Sequence, residues 1–165
     1  MKKLLIILIP ILCSFVAAIN NRLDNESIVS DLNYLRKNPS EIKKRYGIKS
    51  ATDTSSFILD STLCSIAQAK ADWMAKTKLL THNDKRFNGE STCDYYEVSE
   101  CLAICPTDDP NGFFILDYGV ESLIHRKILL TYSGRIGIGS NGNYIVYIIK
   151  KMKDNHLTIM PFTNL

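Results

Sequence analysis

The chain has 165 residues, of which 45% are hydrophobic, 22% charged and 9% aromatic. This length suits one domain with a substantial core, and eight glycines and five prolines exclude a collagen-like or linker-dominated chain. The formal net charge of +3 falls to +1 (18 basic against 17 acidic residues) without Lys2 and Lys3, which excludes a charge-driven partner such as nucleic acid or an anionic membrane.

The first eighteen residues have the layout of a secretory signal peptide. Two lysines precede an apolar run over residues 4–15, and the small residues Val16-Ala17-Ala18 follow it. The run is interrupted by Pro10 and is too short for a membrane span, which takes about 20 apolar residues. A retained anchor is the alternative. We predict cleavage after Ala18, a secreted chain with no stable membrane insertion, and a single domain over residues 19–165.

Four cysteines follow the leader: Cys64, Cys93, Cys101 and Cys105. An even number in an exported chain favours disulfide bonds, and four cysteines allow three connectivities, among which the sequence does not choose. The last three could instead be metal ligands, but their spacing lacks a C-x-x-C pair. We therefore expect all four in disulfide bonds.

The first half of the mature chain reads as helical. Asp24-Asn25-Glu26 gives start signals for a helix whose apolar stripe is spaced by four and three residues and which ends at Pro39; the stripe is Ile28, Leu32 and Leu35. Ser40-Glu41 begins a shorter turn that ends at Gly47. Asn25-Glu26-Ser27 also matches the N-glycosylation pattern, which matters only in a eukaryotic source.

The strongest helix pattern follows Asp60-Ser61 and ends near Leu79 or Leu80, which places Thr81-His82-Asn83 just beyond it. Lys70 interrupts its apolar face, and we expect the stem of this lysine to pack while its ammonium group reaches water. The residues of that face are Leu63, Ile66, Ala67, Ala71, Met74 and Ala75.

Residues 83–118 read as loops with one short strand, and a second short helix is predicted over residues 120–130. Strands over residues 135–139 and 144–149 flank Asn141-Gly142, a dipeptide typical of tight hairpins, and residues 156–160 read as a third strand. Helices followed by an antiparallel meander indicate a mixed α/β domain.

Four segments carry a family resemblance through their order and spacing: Leu80-Thr81-His82, Glu100-Cys101-Leu102-Ala103, Ser122–Leu130 and Ile136-Gly137-Ile138-Gly139. Together they resemble the CAP superfamily, which groups cysteine-rich secretory proteins, antigen 5 and pathogenesis-related proteins through a shared SCP domain. The third segment is closest to the microbial branch. The resemblance implies an α-β-α sandwich with a central antiparallel sheet between helical layers.

The resemblance also implies a cleft that carries two histidines and two glutamates. The matching residues are His82, His125 and Glu100, and the second glutamate has no clear counterpart. Glu121 lies four residues before His125 and ranks lower, because it does not stand at the family position. Neutral histidines bind metals and nearby carboxylates orient them, so His82 and His125 could share a divalent ion such as zinc beside Glu100.

The residues taken alone support plainer interpretations. A histidine after a helix is usually a polar helix end, and Glu100 would be a solvated loop acid. Ser122 and His125 are three residues apart and could pair as nucleophile and base, but no G-x-S-x-G segment surrounds Ser122, so we expect it to cap the short helix. His156 matches no family position and reads as a surface strand residue.

The functional hypothesis is a non-enzymatic, extracellular binding module that needs no cofactor and takes a lipid, a sterol or a cell-surface ligand. The alternatives are a secreted peptidase or other hydrolase that uses His82, His125 and Glu100, with or without zinc, and a disulfide-stapled structural or defence protein. The missing second glutamate favours binding over catalysis.

Overall fold

The computed structural model describes residues 24–50, 52, 55–105, 107–117 and 119–152. The signal peptide predicted for residues 1–18, the strand predicted for residues 156–160 and His156 lie outside the described residues. The elements in chain order are α1 (Asn25–Lys37), α2 (Pro39–Tyr46), β1 (Ile58–Leu59), α3 (Ser61–Thr77), α4 (Thr92–Tyr96), β2 (Ser99–Ile104), α5 (Pro110–Leu116), α6 (Ile124–Thr131), β3 (Gly134–Asn141) and β4 (Tyr144–Lys151).

The first helix confirms the predicted start signal and both helices confirm the predicted stops, but α2 begins at Pro39, before the predicted Ser40, and no side chain caps it. The Asp24 side chain accepts a hydrogen bond from the backbone N–H of Glu26 at the start of α1. The second helix has Pro39 at its first position, where a missing N–H costs nothing, and ends at Gly47 in the left-handed conformation with φ +74°.

The third helix is the longest element and confirms the main helix prediction. The Asp60 side chain caps it by accepting from the Leu63 N–H at 3.0 Å. The helix ends at Thr77, two or three residues before the end predicted at Leu79 or Leu80, because Lys78 adopts φ +61°. The prediction for Lys70 is wrong: this side chain is fully buried. Four other helix residues are buried as predicted: Leu63, Ala67, Ala71 and Met74.

The segment read as loops with one strand contains two short helices besides β2. In α4, Ser91 caps the first turn through a bond from the Asp94 N–H. In α5, Asp109 does the same for the Gly112 N–H at 2.8 Å. Helices of five and seven residues are too short for a periodic apolar stripe, so the sequence pattern did not reveal them.

The four strands form one sheet in the order β1-β3-β4-β2. Strands β3 and β4 form the predicted hairpin, with Asn141 opposite Tyr144, so that the turn falls on residues 142–143, with Gly142 at φ +56°. Strand β2 pairs antiparallel with β4. The sheet is not wholly antiparallel as predicted, because the two-residue β1 pairs in parallel with β3.

Alternate strand residues divide the core into two layers, which confirms a mixed α/β fold with helices on both faces of the sheet. Helices α1, α2, α5 and α6 cover the face to which Tyr147 belongs, and α3 covers the face to which Val146 belongs. The two strand glycines Gly137 and Gly139 allow α3 to lie against the sheet, because a Cβ on either would overlap the helix backbone.

The outer edge of β3 is closed by backbone and side-chain donors. The backbone N–H of Asp60 bonds to the Ile136 carbonyl at 2.9 Å, and beyond the end of β1 the Asn25 amide donates to the Ile138 carbonyl, also at 2.9 Å. The Gln68 amide donates to the Ser140 carbonyl at 2.8 Å and accepts from the N–H of the same residue at 3.3 Å. Side-chain amides therefore continue the pairing that β1 begins.

Candidate functional site

One histidine–carboxylate pair lies on the α3 side of the edge strand β2. His82, in the loop after α3, has its Nδ1 2.8 Å from Oε2 of Glu100. The Glu100 side chain is completely buried, whereas 57% of the His82 side chain is exposed. The carboxylate therefore orients an imidazole that solvent can reach, and it leaves Nε2 as the nitrogen available for other contacts.

A buried lysine balances the charge of Glu100. The Nζ of Lys70 lies 3.6 Å from Oε1 of Glu100 and 2.9 Å from Oδ2 of Asp84. These are ion-pair contacts, and neither the ammonium group nor Oε1 makes a well-aligned hydrogen bond to any residue that the structure describes. Two buried carboxylates make the interior favourable for the ammonium group, which is why Lys70 does not extend to water as predicted.

Asp84 anchors this cluster to the start of α4. Its carboxylate accepts from the Thr92 N–H at 2.9 Å, from the Thr92 hydroxyl at 2.7 Å and from Arg86 at 2.7 Å. Burial by itself raises the pKa of Asp84, but the hydrogen bonds from Thr92, the ion pair with Lys70 and the hydrogen bond from Arg86 outweigh burial and hold that pKa well below its usual range.

A second histidine–carboxylate pair involves a residue that the sequence analysis missed. His125 in α6 has its Nδ1 2.7 Å from Oδ1 of Asp117, whose side chain is fully buried. Asp117 follows α5 in the left-handed conformation with φ +56°, and its Oδ2 accepts from the Arg126 N–H at 3.1 Å. The Arg126 guanidinium donates to the carbonyls of Ile115 and Leu116, which fastens α6 to the end of α5.

Glu121 and Ser122 do not join either pair. Both are exposed in the turn that precedes α6. Ser122 is not the cap of this helix, because Leu123 occupies the cap position without a side-chain bond. Instead, the Asp117 carboxylate satisfies an N–H of the first turn. Asp117 thus provides the second carboxylate for which Glu121 was the sequence candidate.

A cavity of about 300 Å³ lies between the end of β2 and the α5–α6 pair. Its wall is mainly apolar, with the His125–Asp117 pair as its polar part. Leu80, two residues before His82, also lines this cavity. Its other apolar lining residues include Leu102, Ile104, Phe113, Phe114 and Val120.

The Cys93 thiol lies beside the His82–Glu100 pair. Ligating atoms of His82, Cys93 and Glu100 all lie within 4.8 Å of one another, and the Cys93 thiol donates to Oε2 of Glu100 at 3.6 Å. Burial, followed by the charge of Glu100, raises the pKa of Cys93 to about 12. His125 does not belong to this cluster, so the described residues do not gather His82, His125 and Glu100 around one point.

The four described cysteines are free thiols, so the prediction of disulfide bonds among them is wrong. The fold explains why. Cys101 and Cys105 lie in the core on one face of the sheet, whereas Cys93 contacts Glu100 on the other face. Cys101 and Cys105 are four residues apart along extended chain, about 13 Å, beyond the 4.4–6.8 Å that Cα atoms of a disulfide span. Cys64 lies on α3 beside Asn25.

Comparison with known proteins gives a likeness of fold. No protein-family model matches the chain, and no curated protein matches its sequence. A solved structure of an extracellular protein containing an SCP domain, from Bacillus anthracis, superposes with a TM-score of 0.51 at 14% sequence identity. The match covers 77% of this chain and 41% of that protein, so this chain spans about two fifths of its length.

The superposition agrees with the fold that the four sequence segments implied. The fold is therefore SCP-like, and the arrangement of helices and strands carries this conclusion. No helix in the described part of the chain combines the length and the apolar composition that crossing a bilayer requires.

Proposed function

We propose that this protein is an exported CAP-type binding module whose cavity beside α5 and α6 takes a small lipid. The leader pattern over residues 1–18 and the extracellular setting of the Bacillus anthracis SCP-domain protein support export. The single observation that carries the ligand class is the apolar cavity that ends at His125 and Asp117.

The size and lining of the cavity fit an apolar molecule with one polar end. A volume of about 300 Å³ is at the lower limit of ligand pockets, which range over about 300–1,000 Å³, and suits an acyl chain segment or part of a sterol. Burial of apolar ligand surface would supply about 25 cal/mol per Å². The Nε2 of His125 is the polar group that would receive a carboxyl or hydroxyl end.

Binding is favoured over catalysis because neither pair has a competent nucleophile beside it. The Cys93 thiol donates a hydrogen bond to Glu100, and its raised pKa keeps it in the thiol form, which is a poor nucleophile. Ser122 is exposed in its turn and has no elbow geometry.

A hydrolase is the second candidate, because a buried carboxylate that holds Nδ1 is also how an imidazole base is oriented. A peptide-library screen with the wild type and the His82→Ala/His125→Ala double variant separates the two. Turnover that the double variant loses would establish the hydrolase.

Two adjacent leucines provide a matched test of the lipid proposal. Leu79 and Leu80 are about half exposed, and of the two only Leu80 lines the cavity. We expect Leu80→Asp to weaken the binding of a fluorescent fatty acid and of radiolabelled cholesterol, because a carboxylate at the rim repels an apolar ligand, whereas Leu79→Asp leaves it unchanged. Equal effects of the two substitutions, or no saturable binding of either probe by the wild type, would contradict the proposal.

A further inference from the structure

The cluster of His82, Cys93 and Glu100 has a composition that the lipid proposal does not use. An imidazole, a thiol and a carboxylate bring their ligating atoms within 4.8 Å of one another, and they come from three separate segments: the loop after α3, helix α4 and strand β2. We propose that these three residues bind a thiophilic divalent cation, for which Zn²⁺ is the representative ion.

The donor set is selective. Zn²⁺ accepts nitrogen, thiolate sulfur and carboxylate oxygen, whereas Mg²⁺ and Ca²⁺ prefer oxygen ligands alone. Three protein ligands would leave a fourth position of a tetrahedral ion to water. His125 is outside the cluster and is held by Asp117, so the site rests on one histidine and one cysteine.

The two oxygens of Glu100 face different partners, so a cation can bind to one oxygen while Lys70 contacts the other. Oε1 lies 3.6 Å from Lys70, whereas Oε2 is the atom that His82 and Cys93 contact. The ion would bind on the Oε2 side and replace the contacts that His82 and Cys93 make there. Glu100 Oε1 is buried and has no hydrogen-bond partner among the described residues, so its contact in this part of the chain is the ion pair with Lys70.

The charges around the site are also compatible with a bound cation. Lys70 and Arg86 offset Glu100 and Asp84, so this group of four is neutral before an ion binds. Coordination of Zn²⁺ by Cys93 forms a Zn–S bond and breaks the S–H bond, and the proton passes to solvent. The displaced proton limits the added charge to +1.

The site is accessible from solvent. More than half of the His82 side chain is exposed, and Cys93 lines a groove of about 470 Å³ together with Asp94 and Glu97. Lys150 and Lys151 line the same groove and offset these two acids, so the groove beside Cys93 carries no net charge that would repel a cation.

The test is a titration of the reduced protein with Co²⁺, followed by displacement with Zn²⁺. Co²⁺ takes the same ligands, and a cysteine ligand gives a sulfur-to-cobalt charge-transfer absorption in the near ultraviolet. We expect one equivalent of Co²⁺ to produce that band and one of Zn²⁺ to abolish it. Cys93→Ser should remove the band and lower the affinity for Zn²⁺ by more than about 100-fold, since even residues behind the ligands change affinity by about 10–100-fold.

Matched variants give the proposal its sharpest control. Cys64 is a thiol of similar, intermediate burial, so Cys64→Ser should leave the band and the affinity unchanged. His82→Ala should weaken binding, and His125→Ala should leave it unchanged. A band that persists in Cys93→Ser, a loss of affinity in His125→Ala equal to that in His82→Ala, or no band in the wild type would overturn the proposal. The lipid proposal stands apart from this result, because its test uses Leu80.

Discussion

The ammonium group of Lys70 lies 2.9 Å from the Asp84 carboxylate, and neither side chain contacts solvent. This pair joins α3 to the segment before α4, and through the Lys70–Glu100 contact it reaches the edge strand β2. The loop that carries Asp84 also carries His82, Asp84 bonds to Thr92 beside Cys93, and β2 carries Glu100, so the buried pair positions the candidate site. Changes at Lys70 should therefore alter the stability of the fold and the geometry of the site together.

Lys70→Met should destabilise the protein strongly. The methionine keeps most of the volume of the lysine side chain but leaves the Glu100 carboxylate buried without a cation. Loss of one partner of a buried ion pair costs about 3–5 kcal/mol of folding stability. Urea denaturation measures the free energy of unfolding. The Lys70→Met/Glu100→Gln double variant should lose less than the sum of the two single losses. Additive losses would show that Lys70 and Glu100 do not interact.

Asp84 should make the protein sensitive to acid. Its pKa is lowered by folding, so its contribution is fully present above the usual value of 3.8 and is lost as pH falls through that value toward the folded one. Asp84→Asn should be less stable at pH 7 and should lose less stability than the wild type between about pH 4 and pH 2. The urea midpoints of both proteins are measured across this pH range. Parallel plots of midpoint against pH for the wild type and Asp84→Asn would refute the role of Asp84 in acid sensitivity.

Gly137→Ala should destabilise the contact between α3 and the sheet. The added Cβ would overlap the backbone of Leu63 and Cys64, which has no flexible end that can move away. Overpacking of a core costs about 1–3 kcal/mol, and a backbone obstacle places this variant at or above the upper end. Gly142→Asn is the control, because its site is open and asparagine tolerates the positive φ. Thermal melts of equal midpoint for the two variants would contradict the close approach.

Cys93 should react slowly with iodoacetamide in the folded protein. Burial and then Glu100 raise its pKa to about 12, and only the thiolate is alkylated. Glu100→Gln removes the negative charge and should accelerate labelling of Cys93, whereas labelling of Cys64 should stay the same. Peptide mass spectrometry after timed labelling at pH 8 follows each thiol. A disulfide between any two of the four cysteines, found in unreduced protein, would contradict the free thiols of the structure.

The sequence predicted the elements whose signals are local. Caps, prolines and a long apolar stripe predicted α1, α2 and α3, and a turn dipeptide predicted the β3–β4 hairpin. These features depend on residues within a few positions of one another, so their physical cause is visible in the chain itself. The short α4 and α5 offer no such period, and the two-residue β1 depends on a partner strand that begins at Gly134.

The candidate site was predicted in part, and the contacts that the sequence did not predict join residues far apart along the chain. His82, His125 and Glu100 came from family resemblance, but the burial of Lys70 depends on acids 14 and 30 residues further along the chain. Asp117 had no local signal, because Ser122 stands just before α6 as the expected cap and Asp117 lies five residues further upstream. The cysteine count favoured disulfides because a count contains no information about which face of the sheet each thiol occupies.

The closed outer edge of β3 bears on how copies of this chain meet one another. An open strand edge is a template on which a second chain can add a strand, and such additions grow into aggregates. Here the amides of Asn25 and Gln68 already occupy the carbonyls that an incoming strand would need. Two side-chain amides thereby protect this edge of the sheet against strand addition over the length that the two-residue β1 does not cover.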